Sequence, residues 1–404
     1  MRVLQINAVY GSGSTGRMVE EFHNYLKENK IESFVACAKG CDPSQPDQYS
    51  IGSSIDMKIH SLYARISGLQ GYCSKKATRK LINYIRHCNP DVVHLGNLHS
   101  NFVNINMLFR FLGEEQIATV LTLHDCWFYT GKCSHYTADK CFKWKTTCGN
   151  CPRLKKDIPS WYFDRTQKML DDKKCSYHGV NKLAVVGVSD WITREAKESI
   201  LRNSAIITRV YNWIDTDMFK PKEVDTNLIT RLRCKGKKIL LGVAIGWSDD
   251  KGLSDFINLA GMLPSDYTII LVGENIENKQ MPDNIQIVGK TKSVEELVDY
   301  YNMADCFLSL SPEESFGKVV AEALSCGTPS IVYNSTAAPE LVGEKCGYIV
   351  KAHDIQEVKN CVIKVCKKGK QHYSNACRTF ACTNFDRVTN IKQYLEIFEE
   401  IGRI

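Results

Sequence analysis

Long apolar runs are missing from this sequence. No stretch approaches about 18 consecutive apolar residues, so no membrane-spanning helix is predicted. Room for a leader is missing as well: the strand-like run Arg2-Val3-Leu4-Gln5-Ile6 begins almost at Met1, and a cytoplasmic chain is expected. Basic residues are not interleaved with stacking aromatics, which argues against nucleic acid as a partner. Carboxylates do not cluster at metal-ligand spacing either, so no divalent cofactor is expected.

What is present is an ordinary globular composition, 44% hydrophobic and 24% charged, in 404 residues. That length exceeds what one core usually supports, and two domains are predicted. A net charge of +7 permits an anionic partner without choosing among nucleotide, lipid surface and nucleic acid. Most of the 18 cysteines sit singly in apolar runs, as Cys37, Cys306, Cys326, Cys361 and Cys366 do, and read as reduced thiols. Four differ. Cys133, Cys141, Cys148 and Cys151 follow C-x7-C-x6-C-x2-C within a long segment that reads as poor in apolar residues, so something must order it. Either a structural zinc takes the four thiolates, or the thiols are unpaired or transiently oxidised.

Both halves open as strand, Gly-rich turn, helix, the rhythm of a parallel α/β fold. In the first half Gly11, Gly13 and Gly16 satisfy GxGxxG after a strand. A dinucleotide site also wants an acid closing the second strand, and that strand ends Cys37-Ala38-Lys39-Gly40. The dehydrogenase reading is therefore demoted, while the loop still offers amides to a phosphate. Three histidines, His94, His99 and His124, lie at or just after the C-terminal ends of strands, where α/β sites are built. A basic stretch, Lys75 to Arg86, carries Leu81, Ile82 and Ile85 at helical spacing: a solvated helix face, or a surface for anionic lipid or an acceptor diphosphate.

The second half turns at Gly246–Gly252, with Lys251 at the mouth. It culminates in SPEESFGKVVAEALSCGTP, residues 311–329. There a strand ends in adjacent acids and a helix opens at about Phe316-Gly317, with Glu322 eight positions after Glu314, roughly two turns into the helix. Free N–H groups at that helix start suit an anion, and a carboxylate can accept a forked pair of bonds from a sugar diol. A solvated acidic turn is the plainer alternative.

Glu314, Phe316-Gly317, Glu322 and the following Ala323–Pro329 resemble the donor-site signature of the retaining glycosyltransferases of family 4. The resemblance implies an α/β chain of GT-B fold, two Rossmann-like domains facing across a cleft. Residues 1–212 would form the acceptor-side domain, with a Cys-rich insertion at 126–160 and a C-terminal helix, 385–404, packing back on it; residues 213–384 would bind the nucleotide sugar. It implies transfer from a nucleoside-diphosphate sugar to a saccharide or polyprenyl-diphosphate-linked acceptor in surface-polysaccharide assembly, with no cofactor required for catalysis, and the inner membrane surface as a further partner.

The same resemblance assigns the residues. His124, Lys251 and Glu314 are the catalytic candidates. Gly13, Gly16, Lys251, Val288, Lys290, Glu314, Phe316, Gly317 and Glu322 are the donor-binding ones, and His99 faces the acceptor. Gly246 stands where the family usually has an arginine, one phosphate anchor fewer. With no clear nucleophile, front-face displacement is the expected route to retention. The competing readings are a non-catalytic nucleotide-sugar binder of the same fold and a zinc-braced nucleic-acid binder.

Overall fold

The computed structural model describes residues 1–274 and 279–404. The chain divides into two units, Met1–Val210 with Ile391–Ile404, and Tyr211–Asn390.

The first unit is built on seven strands: β1 (Arg2–Val9), β2 (Glu32–Lys39), β3 (Gln48–Ser50), β4 (Val92–Leu95), β5 (Ala118–Leu123), β6 (Leu183–Gly187) and β7 (Ile206–Arg209). All pair in parallel, in the order β3-β2-β1-β4-β5-β6-β7. Because parallel strands need crossover connections, helices cover the sheet, and its central strands are apolar on both sides. β4, β5 and β6 are buried throughout. The basic stretch forms the helix Lys75–Cys88, which buries Ala77, Leu81 and Ile85 and turns its lysines outward.

The second unit repeats the plan with β8 (Lys238–Gly246), β9 (Tyr267–Glu274), β10 (Ile285–Val288), β11 (Cys306–Ser309), β12 (Ser330–Tyr333) and β13 (Gly347–Val350). Its order is β10-β9-β8-β11-β12-β13, again parallel. In each unit the chain builds outward from the first strand, then returns to its other side. The order reverses between β1 and β4, and between β8 and β11, and the connections leaving those pairs diverge to open a crevice.

The last helix, Arg387–Arg403, contributes its Ile391–Ile404 portion to the first unit. There Phe398 stacks on Phe22 with centroids 5.7 Å apart, and the Tyr394 ring lies 5.3 Å from that of His94. The Tyr394 hydroxyl and the Thr122 hydroxyl are 3.0 Å apart, and Thr122 is 2.8 Å from His94 Nε2. Burial, then the nearby His124, pushes the His94 pKa down to about 3, so His94 is a neutral core residue.

One cysteine differs from its reading as a reduced thiol. Cys37, at the end of β2, is joined to Cys41 in a disulfide, their Cα atoms 5.9 Å apart across the turn that follows the strand. The other sixteen cysteines are free.

Truncating Tyr394 removes a fully enclosed ring. Tyr394→Ala is expected to destabilise the first unit by about 3–5 kcal/mol, and Tyr394→Phe, which deletes only the hydroxyl, by about 1 kcal/mol. Urea unfolding monitored by tryptophan fluorescence checks both; equal losses would show that the ring packing contributes little.

Candidate active site

In the second unit the crevice lies between β8 and β11. After β8 the chain turns through Trp247–Lys251, and Gly252 closes the turn at φ 78° before the helix Leu253–Met262. Glycine is required there because a side chain would collide with the Leu310 carbonyl, just past β11. The two connections thus touch, main chain against main chain. Ser311 secures them, its hydroxyl donating to the Asp250 carbonyl at 3.0 Å.

This close approach brings Lys251 and Glu314 together: Nζ lies 2.6 Å from Oε1. Burial alone would lower the Lys251 pKa. The Glu314 carboxylate more than reverses that and holds the ammonium above its ordinary value. Glu314 is fixed through its main chain, its amide donating to Thr336 Oγ1 at 2.9 Å and its carbonyl accepting from Ala337 N at 3.2 Å. Its side chain therefore hangs into the crevice from a rigid loop.

Gly317, at φ 97°, precedes the helix Lys318–Ser325 and offers no capping side chain, so the first amides of that helix stay uncovered by any side-chain cap. Phe316 is buried against Tyr211 and Phe385, which leaves its main chain rather than its ring to face a ligand. Glu322 is buried in the same helix and accepts a 2.8 Å hydrogen bond from the Tyr301 hydroxyl. Val288 is half-buried and Lys290 exposed at the end of β10, the edge strand two places from β8. Lys279 was not singled out in the sequence. Its ammonium reaches Asp249 Oδ1 at 2.5 Å, on the turn that carries Lys251, and Ser254 Oγ at 2.8 Å, in the helix that follows, which only the fold could reveal.

In the first unit only Gly11 of the three glycines lies in the loop after β1; Gly13 opens the helix that follows and Gly16 is buried in its first turn, so the glycine turn is shorter than the sequence suggested. The Gly11 amide donates to the Gly16 carbonyl at 2.9 Å, and the helix Gly13–Glu28 starts without a side-chain cap. His99 follows β4, and His124-Asp125 follows β5, the neighbouring strand. His99 Nε2 lies 2.9 Å from Asp125 Oδ2, a pairing that sequence spacing did not disclose. Burial would depress the His99 pKa, but Asp125 raises it above 6.5; reciprocally, burial would raise Asp125, and His99 with the Trp127 amide hold it below 3.8. Trp127 is anchored in turn, its indole donating to Gln70 Oε1 at 2.7 Å, while the Gln70 amide donates to the His99 carbonyl.

The insertion after β5 is not poor in apolar packing, contrary to its reading from sequence. Tyr129, Tyr136 and Trp144 are fully buried and lie against one another, Trp144 being 5.0 Å from Tyr129 and 5.2 Å from Tyr136. Two buried lysines tie the loops: Lys132 donates to the Arg153, Leu154 and Lys156 carbonyls, and Lys173 to those of Trp127 and Thr130. The aromatic cluster and these ties order the segment. Cys133, Cys141, Cys148 and Cys151 line one cavity of about 10 Å³. Burial pushes the Cys133 thiol up to about 12 and Cys148 to about 11. Among the described residues no three His, Cys, Asp or Glu side chains already stand where they could hold a metal ion.

Two family models match. Residues 15–218 fit the one described as Glycosyltransferase Family 4, and residues 231–379 the one described as Glycosyl transferases group 1. The chain belongs to glycosyltransferase family 4. N-acetyl-alpha-D-glucosaminyl L-malate synthase of Bacillus anthracis is 26% identical to this glycosyltransferase over 238 residues, 54% of the chain and 60% of the relative. WcaC of Escherichia coli K12, named as a candidate colanic acid biosynthesis glycosyl transferase, is 24% identical over 286 residues, 68% and 67% of the two chains. The glycosyltransferase thus spans about three-fifths and two-thirds of these relatives. Anabaena HepE, solved in complex with UDP-glucose, superposes with a TM-score of 0.63 at 16% identity, covering 100% of each chain. That likeness shows the fold, GT-B with its two Rossmann-like domains.

The His99–Asp125 pair gives the glycosyltransferase a pH signature. The raised His99 pKa contributes stability that is fully present below 6.5 and is lost as pH rises through the folded value; the depressed Asp125 pKa contributes stability present above 3.8 and lost as pH falls through its folded value. Removing the pair with His99→Gln is expected to lower stability between these limits and to flatten the alkaline decline in Tm. Parallel Tm–pH curves for the two proteins would contradict the pairing.

Proposed function

We propose that this chain transfers a hexosyl group, with retention, from a uridine-diphosphate sugar to a saccharide acceptor, lipid-linked, in assembling a surface polysaccharide. The observation that carries the reading is the Lys251–Glu314 ion pair at the crevice between β8 and β11, beside the uncapped start of the Lys318–Ser325 helix. In the ligand-free chain the ammonium and carboxylate neutralise each other. An arriving diphosphate takes the ammonium and the Gly317-side amides, and the freed Glu314 accepts from a sugar hydroxyl. Glu322, oriented by Tyr301, takes the ribose diol, and Val288 and Lys290 flank the base. The nucleotide choice is supported by UDP-glucose in the HepE structure, and the polysaccharide context by the name of WcaC.

In the step itself the bond from the sugar's anomeric carbon to the diphosphate oxygen breaks, the acceptor oxygen forms the new bond on the same face, and the acceptor proton passes to the departing phosphate. Lys251 stabilises the charge that grows on the diphosphate, the term of largest effect in such sites. Lys279, which reaches the same turn from beyond β9, supplies the second positive charge that Gly246 does not. In the first unit the Asp125-paired His99 positions the acceptor, and by family resemblance His124, Gly13 and Gly16 serve the donor.

Gly246 favours one other reading, a nucleotide-sugar binder without turnover, and the assay must separate the two. Thermal-shift and hydrolysis measurements across UDP-, GDP-, ADP- and CDP-sugars are expected to single out the uridine class, with turnover. Lys251→Ala and Glu322→Ala should each weaken donor binding about tenfold or more. Binding without turnover on any acceptor would leave the binder; silence from the folded protein across the panel would sink both.

The reading extends to the cysteine insertion. Cys133, Cys141, Cys148 and Cys151 line one cavity together with Lys132 and Lys143 and do not yet form a ligand set, and we read structural zinc as drawing the four thiols together. One zinc per chain, with a lower Tm after stripping, is expected. A metal-free protein of unchanged Tm would leave the aromatic cluster as the whole account of its order.

A further inference from the structure

The helix Ser54–Ser67, left unassigned by the sequence reading, is amphipathic in an unusual sense. It buries His60 and Ala64 and turns Ile55, Ile59, Leu62 and Ile66 to solvent, these four being 43–66% exposed. At 100° per residue they fall within one narrow stripe opposite His60 and Ala64. The helix is fixed rather than loosely attached. Ser53 and Asp56 form a capping box at its start, and the His60 ring bonds Ser74 Oγ at 2.8 Å and accepts from the Gly71 amide at 3.2 Å.

At the end of this helix the stripe is extended by Trp161, Tyr162 and Phe163, 41%, 70% and 49% exposed. The Trp161 amide donates to the Arg65 carbonyl at 2.7 Å, and Gly68, which ends the helix, packs so closely on the Phe163 carbonyl that a side chain there would collide. Stripe and aromatic turn are therefore one surface. Its rim carries more cations than acids: Lys58 and Arg65 border one side of the stripe, with Asp56 of the capping box on the other, Lys155 donates to the Trp161 carbonyl, and the Arg165 guanidinium lies 5.5 Å from the Phe163 ring.

We propose that this face docks on an anionic lipid bilayer, the helix lying in the interface with its aliphatic stripe and aromatic turn inserted. Aliphatic insertion, tryptophan and tyrosine at the boundary, and lysine and arginine toward the headgroups are the chemistry such a surface requires. A second copy of this chain is the poorer occupant, because a symmetric contact would set two predominantly cationic rims against each other. The inference goes beyond the glycosyl-transfer reading and does not rest on it, since no donor-site residue takes part.

The test is co-sedimentation of the full chain with phosphatidylcholine vesicles, with and without phosphatidylglycerol, at low and high salt. The protein is expected to partition onto the phosphatidylglycerol vesicles and to release as salt rises. Ile59→Glu with Leu62→Glu, both exposed and hence compatible with folding, should weaken partition about tenfold or more while leaving Tm and nucleotide binding unchanged. Lys58→Glu with Arg65→Glu should weaken it at low salt only. Absence of wild-type partition, or undiminished partition of the Ile59/Leu62 variant, would overturn the proposal. So would a concentration-dependent dimer, seen by sedimentation velocity, that the same variant dissolves.

Discussion

Parallel pairing is the constraint from which the rest of this molecule follows. A strand that must run beside its predecessor in the same direction cannot be joined to it by a hairpin, so each crossover carries the chain back through a helix. Every strand then finishes at the same edge of its sheet, and the loops that leave that edge accumulate there. With both sheets reversing their build order beside the first strand, the two loops that diverge in each unit are dictated by topology. In the second unit they are the loops of Lys251 and Glu314; in the first, the glycine loop and that of His99.

These loop ends collect charges in partnered form. Lys251 has Glu314 and His99 has Asp125. A charged group held ready without a ligand would otherwise be costly in a half-buried crevice, and an internal counter-ion removes that cost while remaining exchangeable. The pairs also mark the difference between placing a residue on a loop and knowing what it does there. Glu322 is a buried carboxylate oriented by Tyr301, whereas Phe316 supports its loop from within the core.

The fold was largely legible in the sequence because its signals are local: apolar runs for doubly covered strands, glycine turns after them, and a repeat of that opening in the second half. The motif around Glu314 was legible too, since its residues lie within two helical turns. Much of what escaped depends on contacts distant in sequence. Asp125 finds His99 across neighbouring strands, and Lys279 reaches the turn of Lys251 from the far side of β9. The insertion was misjudged because its aromatics are far apart in the chain, Tyr129 closing the run Trp127-Phe128-Tyr129 while Tyr136 and Trp144 stand singly among polar residues, and only folding gathers the three. Cys37 looked like a core thiol in an apolar strand; its partner stands just beyond, where the turn brings it back. The helix Ser54–Ser67 carries its apolar residues on the wrong side for a core, so periodicity without burial gave no guide to their purpose.

The aromatic contact that closes the first unit has a consequence for biosynthesis. Phe22 and His94 emerge early from the ribosome, but Tyr394 and Phe398, which cover them, are translated after the entire second unit. The N-terminal sheet must therefore wait with a patch of its core uncovered while roughly 180 residues of the intervening unit are synthesised, at about 5–20 residues per second. For that interval the nascent chain exposes a hydrophobic seam that chaperones can bind, and the order of folding runs against the order of synthesis.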